Sequence, residues 1–277
     1  MGTSQEDLIR ELESSGVLGT SAKPLSTAQA PRRAPAVSAP SGIGARGSAL
    51  LHSSLGLFMV AALLVALVGS LPFGALALYP FTLFVTLIHE SGHALAAAVT
   101  GGHVVDVSLS PDTSGVTHYV GGSQILIAPA GYLGATLAGV ALLLTPPRFA
   151  RIALGSLAFL PIAVLVTFHA ATFFTAAWCA GFAAALLLAA WKAPPRLAAF
   201  LQILLGVAAG LNAFRDLLTL MVISSGDAHI HTDAVSMSEA LFLPPIFWAV
   251  IWTALSLLLI AAAVWRLLER ELRPSRV

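Results

Sequence analysis

The chain has 277 residues, of which 57% are hydrophobic and only 10% are charged, and its mean hydropathy is +0.89. A soluble domain carries roughly a quarter charged residues, so this composition excludes an ordinary water-soluble protein. The formal net charge of +1 and the lack of a basic stripe argue against a nucleic-acid partner. We therefore expect an integral, multi-pass membrane protein surrounded by a lipid bilayer.

The first 50 residues differ in composition from the rest of the chain. They are rich in Ser, Ala, Pro and Gly, and such a segment cannot bury enough apolar surface to order itself. We predict a disordered or weakly structured tail over 1–50, in which residues 6–18 can form a short amphipathic helix.

Seven apolar segments follow the tail, each close to the length that a hydrocarbon core of about 30 Å requires of a helix. They should be helical, because lipid offers no partners to backbone donors and acceptors. The predicted fold is an all-α polytopic membrane protein with about seven transmembrane helices, a transmembrane domain over 51–268 and a basic C-terminal tail over 269–277. The segments lie near 51–71, 78–99, 123–144, 151–168, 171–191, 197–222 and 244–267.

Two stretches between the apolar segments have a different pattern. Residues 101–122 alternate apolar and polar side chains on both sides of a Pro-Asp-Thr-Ser-Gly turn at 111–115, which predicts a small β-hairpin. The second stretch, residues 224–239, is expected to be irregular.

Ionisable side chains inside the second apolar segment are the strongest functional signal. Such groups are costly in lipid and usually mark function. His89 and His93 are four residues apart and therefore share one face of a helix, so both imidazoles can reach one zinc ion. Glu90 lies beside them, where it can deprotonate a metal-bound water without ligating the metal. The competing interpretation of these three residues is a satisfied polar helix contact or a proton relay.

A catalytic zinc site requires a third protein ligand, and the sequence offers two aspartates. Asn212 and Asp216 lie four residues apart in the sixth segment, so Asp216 can complete the site while Asn212 orients a ligand or binds the substrate backbone. Arg215 and Asp216 can equally form structural ion pairs with groups on neighbouring helices. The alternative third ligand is Asp233, close to His229 and His231 in the irregular stretch.

The residues from Ile88 to Ala97, followed by Thr100-Gly101-Gly102, resemble the active-site helix of site-2 protease-like zinc metallopeptidases. The resemblance is closest to their compact bacterial branch and continues through the small-residue segment 129–134, the Asn212–Asp216 segment and residues 232–234. It covers about 78–240. Better-known members carry their third ligand in an Asn-to-Asp-Gly motif that contains a proline, and this chain lacks both that proline and that glycine.

The resemblance implies a bacterial cell-membrane enzyme with a core of about six helices. It also implies a Zn²⁺ cofactor and hydrolysis of a peptide bond in or near the bilayer, with a membrane protein or peptide as substrate. Glu90 would accept the proton of the attacking water and pass it to the leaving amine. Two other functions stay open at this point: a catalytically inactive membrane binding or scaffold protein, and a transporter-like polar relay. The oligomeric state is not determined.

Overall fold

The computed structural model describes residues 53–225 and 232–272, together with Arg10 and Ser14. The chain divides after Gly42 into two units, and every element below belongs to the second. The predicted tail over 1–50 and its amphipathic helix lie outside the described ranges, apart from Arg10 and Ser14. His229 and His231 also lie outside them.

The described residues form nine α-helices, one short 3-10 helix and two strands. Two helices come first, the two strands follow them, and a 3-10 turn at Pro147–Phe149 leads into the fourth helix. In chain order the elements are α1 (Ser54–Ser70), α2 (Gly74–Val99), β1 (His103–Leu109), β2 (Gly115–Val120), α3 (Gln124–Leu144), α4 (Ala150–Leu157), α5 (Phe159–Val166), α6 (Phe173–Lys192), α7 (Pro195–Ser225), α8 (Asp233–Leu241) and α9 (Pro245–Leu272).

Every one of the seven predicted apolar segments is helical. Within the described ranges, six helical stretches are long and apolar enough to cross a membrane: α2, α3, the stretch containing α4 and α5, α6, α7 and α9. The first segment forms α1, a shorter apolar helix of 17 residues. The predicted class of a mostly helical, multi-span membrane protein is therefore confirmed. Its last helix runs to Leu272, four residues beyond the predicted end of the transmembrane domain.

Large apolar side chains are abundant on the outward faces of the spans. Phe173, Leu76 and Trp191 are each more than 70% exposed, whereas Glu90 and His93 are buried. Apolar residues outside and ionisable residues inside are the arrangement that a bilayer favours, because lipid solvates hydrocarbon and excludes charge.

The predicted β-hairpin is also confirmed. Strands β1 and β2 pair antiparallel, with a register irregularity between Val104 and Asp106. Gly101 ends α2 with a φ of 85°, a left-handed conformation that glycine adopts without steric cost. The hairpin folds back on α2, where Leu109 and Val107 are buried against apolar residues of that helix.

The stretch from 224 to 239 was expected to be irregular, and this expectation is wrong for its second half. Helix α8 begins at Asp233, because the Thr232 side chain accepts a hydrogen bond of 3.3 Å from the Val235 backbone N–H and caps the helix. Ala234 and Met237 then bury the helix in an apolar cluster with residues of α3, α7 and α9.

Candidate metal centre

Helix α2 presents its two histidines to one point, as their spacing predicts. The Nε2 atoms of His89 and His93 lie 2.9 Å apart. The Nδ1 of His93 lies 2.8 Å from the Ile127 carbonyl oxygen, an acceptor, so Nδ1 carries the proton and donates it. Nε2 is therefore the nitrogen of His93 that is placed to ligate a metal, which it does in the neutral imidazole.

Asp233 supplies an oxygen at the same point. Its Oδ2 lies 3.3 Å from His89 Nε2 and 3.3 Å from His93 Nε2. Burial alone would raise the pKa of the Asp233 carboxyl, but hydrogen bonds and charge interactions with the two histidines outweigh burial and hold that pKa well below its usual range. The side chain is thus held as a carboxylate, the form that ligates metal.

These three side chains fit a tetrahedral metal. Their ligand atoms all lie within 4.8 Å of one another. Zinc bonds of ~2.0–2.1 Å to nitrogen and oxygen place tetrahedral ligands about 3.3 Å apart. The two nitrogen-to-oxygen distances match that value, whereas the two Nε2 atoms, at 2.9 Å, are closer together and would move apart around an ion. The set of two imidazoles and one carboxylate is also one that catalytic zinc sites use.

Helix α3 leaves room for an ion at this point by having a glycine there. A Cβ on Gly131 would lie 2.5 Å from His89 Nε2 and 2.6 Å from His93 Nε2, so any larger residue would occupy the space where the imidazoles converge. Gly92 of α2 makes the approach possible, since a Cβ there would lie 2.4 Å from the Ala130 carbonyl oxygen. Two glycines thus bring α3 against the histidines.

The hairpin holds Glu90 beside the cluster. The Thr117 hydroxyl lies 2.7 Å from Glu90 Oε2 and 2.9 Å from the Glu90 carbonyl oxygen, and Glu90 itself is 6% exposed. A Cβ on Gly115 would lie 2.7 Å from Glu90 Cγ. Strand β2 therefore orients the Glu90 carboxylate with the Thr117 hydroxyl, and it leaves room for the Glu90 side chain by having glycine at position 115.

Two aromatic side chains support the imidazole ring of His89. The Tyr132 ring meets the His89 ring edge-to-face, with centroids 4.5 Å apart, and it stacks on Trp252 of α9. His89 is thus supported by rings from α3 and α9, whereas His93 is supported by a backbone carbonyl.

Two adjoining cavities open onto the cluster and share His89, Glu90 and Tyr132. The first, of about 400 Å³, reaches His93, Asp233 and the inward side chains of β2, and we call it the Asp233 lobe. The second, of about 260 Å³, is lined by Asp216 as well, and we call it the Asp216 lobe. Together they form a polar cleft between membrane spans.

The structure separates the two candidate third ligands. Asp233 joins the histidine cluster, whereas Asp216 lies outside that cluster on the wall of its own lobe. Asn212 donates a 3.0 Å hydrogen bond to the Ala208 carbonyl of its own helix. Asn212 is not among the described residues that line the two lobes. Its predicted contact with the substrate therefore stays a prediction.

The sequence reasoning did not identify Thr117 or the space-making role of Gly131. The two-residue period of β2 carries the signal for Thr117, since Gly115, Thr117 and Tyr119 fall on the face opposite the exposed Val116, His118 and Val120. No sequence signal identifies Gly131. The need for glycine at this position comes from the imidazoles of another helix, and the sequence of α3 alone shows only a helix rich in small residues.

A family model described as Peptidase M50B-like matches residues 57–263 of the chain, about three quarters of its length. No curated protein and no solved structure matched the chain.

Proposed function

Because the chain belongs to the Peptidase M50B-like family, we propose that it is a zinc-dependent metallopeptidase that hydrolyses a peptide bond within or near a membrane. The observation that carries this proposal is the convergence of His89, His93 and Asp233 within one ligand sphere, with the Glu90 carboxylate beside it in an open polar cleft. The substrate would be a membrane protein or peptide, and the location a cell membrane, as in bacteria.

The three side chains of the cluster would hold the ion, with Asp233 rather than Asp216 as the third ligand. A bound Zn²⁺ supplies Lewis acidity, polarising the scissile carbonyl and lowering the pKa of a water beside it. Glu90 then accepts the proton of the attacking water and delivers it to the leaving amine. The Thr117 hydrogen bond keeps the Glu90 carboxylate in one orientation during both transfers.

A substrate strand has a natural place next to this centre. Among the described residues β2 pairs with β1 alone, and its inward residues Gly115, Thr117 and Tyr119 line the Asp233 lobe. An extended peptide can add to a free sheet edge through main-chain hydrogen bonds. A transmembrane helix would have to unwind locally to do so, because its own backbone groups are otherwise paired.

The decisive test is the Glu90→Gln variant, purified in detergent and compared with wild type and with Glu239→Gln. Glu239 is an exposed carboxylate on α8 outside the two lobes, so it controls for the loss of one negative charge. We expect Glu90→Gln to retain one zinc per chain and to lose hydrolysis of detergent-solubilised transmembrane peptides by at least about 10²-fold. Zinc is counted by elemental mass spectrometry and cleavage by peptide mass spectrometry.

The alternative functions predict different results. A scaffold protein predicts the same cellular phenotype for Glu90→Gln and wild type, with no zinc-dependent cleavage by either. A polar relay predicts purified protein without stoichiometric zinc. Either result would contradict the proposed peptidase.

A further inference from the structure

We propose that the Asp216 lobe is a substrate subsite that takes a basic side chain, lysine or arginine, close to the scissile bond. The proposal rests on the peptidase function above and adds a substrate class to it. It starts from Asp216 itself, an ionisable residue within the long span α7 that the metal cluster does not use. A carboxylate at such a position is costly and is usually retained for a function.

The position of Asp216 relative to the reacting groups is the first argument. The lobe that it lines is also lined by His89, Glu90 and Tyr132, so one continuous space joins the carboxylate to the metal centre. A side chain of a substrate whose carbonyl lies at the cluster can therefore extend towards Asp216. Asp216 is classed as an exposed residue, and it is one of the residues that line this lobe.

The charge of the lobe is the second argument. Among the described residues that line it there is no lysine or arginine, and none of the described ion pairs involves Asp216. Arg215, the next residue, interacts electrostatically with Asp216 but does not line the lobe as described. Asp216 and Glu90 are the acidic residues of the described lining, and His89 is its one histidine. Such a cleft attracts a cationic group and disfavours an acidic one.

The hydroxyl groups of the lobe are the third argument, because several are already engaged. The Thr86 hydroxyl contacts the carbonyl oxygens of Thr82 and Thr113, at 3.2 Å and 2.8 Å. The Ser114 hydroxyl donates to Asp112 Oδ1 at 2.7 Å. The Asp216 carboxylate has no such partner among the described hydrogen bonds and ion pairs of the lobe, and an ammonium or guanidinium is the group that pairs with a carboxylate best.

Binding of peptidyl hydroxamates tests the subsite without requiring turnover. Two series are needed, extending in opposite directions from the zinc-binding group, and each compares lysine, norleucine and glutamate at the neighbouring position. Affinities are measured on zinc-loaded full-length wild type, Asp216→Asn and Glu239→Gln in detergent. Norleucine matches the length of lysine without its charge, and Glu239→Gln removes a negative charge that lies outside the lobe.

In one of the two series we expect wild type to bind the lysine compound at least about fivefold more tightly than norleucine, and the glutamate compound more weakly. Asp216→Asn should abolish that preference while the norleucine affinity changes less than about twofold, and Glu239→Gln should keep it. Two results would overturn the subsite and leave the peptidase proposal standing. One is equal affinity for the lysine and norleucine compounds in both series. The other is an equal loss of affinity for all three compounds in Asp216→Asn. If no hydroxamate binds the zinc-loaded protein, the peptidase proposal fails, and the subsite with it.

Discussion

At the scale of single residues, the centre depends as much on a missing side chain as on the ligands. His89 and His93 converge because α2 places them one turn apart, but the space between their Nε2 atoms and the neighbouring helix exists only because residue 131 is glycine. A metal ligand set needs both donors and an empty volume, and the volume comes from a different helix than the imidazoles.

The Gly131→Ala variant should therefore lose zinc. The added methyl group would lie 2.5 Å from His89 Nε2 and 2.6 Å from His93 Nε2, which forces the rings apart, and we expect zinc affinity to fall at least about tenfold. Gly134→Ala is the matched control on the same helix, since its nearest neighbour would be 3.9 Å away. Competition with a zinc-binding dye measures both variants. Wild-type affinity in Gly131→Ala would show that the ion lies elsewhere.

At the scale of secondary-structure elements, the hairpin and α8 each contribute one polar side chain to the site on α2. Strand β2 brings the Thr117 hydroxyl to the Glu90 carboxylate, and the capped start of α8 brings Asp233 to the histidines. An acidic residue in the first turn of α8 also interacts favourably with the partial positive charge of the helix N-terminus. Two short polar elements thus complete a site that begins on a long apolar helix.

The contribution of β2 is testable through Thr117. Thr117→Val keeps the shape of the side chain but removes the hydrogen bond to Glu90, so the carboxylate loses its fixed orientation. We expect kcat to fall about tenfold with KM and zinc content nearly unchanged, and Thr117→Ser to restore most of the rate. Steady-state cleavage of one fluorogenic peptide gives both constants. A change in KM alone would instead assign Thr117 to substrate binding.

At the scale of the whole molecule, the metal centre links elements that are far apart in the chain. Its candidate ligands come from α2 and α8, while α3 and α9 support them through Gly131 and the stack of Tyr132 on Trp252. A bound ion that ligates only the folded arrangement stabilises it by mass action. Zinc should therefore hold α8 on the membrane spans as well as serve catalysis.

Removal of zinc should lower the thermal stability of the detergent-solubilised protein. At free zinc a hundredfold above Kd the ion contributes about 2.7 kcal/mol, so chelation should lower Tm and added zinc should restore it. Asp233→Asn should greatly reduce this zinc-dependent increment, whereas Asp216→Asn should keep it. The reverse pattern would make Asp216 the third ligand. Differential scanning fluorimetry on the three proteins is sufficient.

The sequence predicted the helical spans, the hairpin and the pairing of His89 with His93, because each depends on local information. Long apolar runs demand helices in lipid, alternation demands a strand, and a spacing of four residues puts two side chains on one face. It could not choose between Asp216 and Asp233, because that choice depends on where two distant segments lie in space. The start of α8 was missed although Thr232 is a good capping residue, because a single cap is a weak signal without its helix partners.

The amino-acid sequence by itself determined that the chain is built for a bilayer and that one span carries two imidazoles and a carboxylate on neighbouring positions. Tertiary structure alone decided which acid joins the imidazoles, which helix leaves room between them and which hydroxyl holds Glu90. The physical reason is the separation along the chain over which each effect acts. Helix periodicity and hydropathy depend on residues close in sequence. The convergence of the ligands, the gap at Gly131 and the Thr117 hydrogen bond depend on residues that only the packing of the helices and the hairpin brings together.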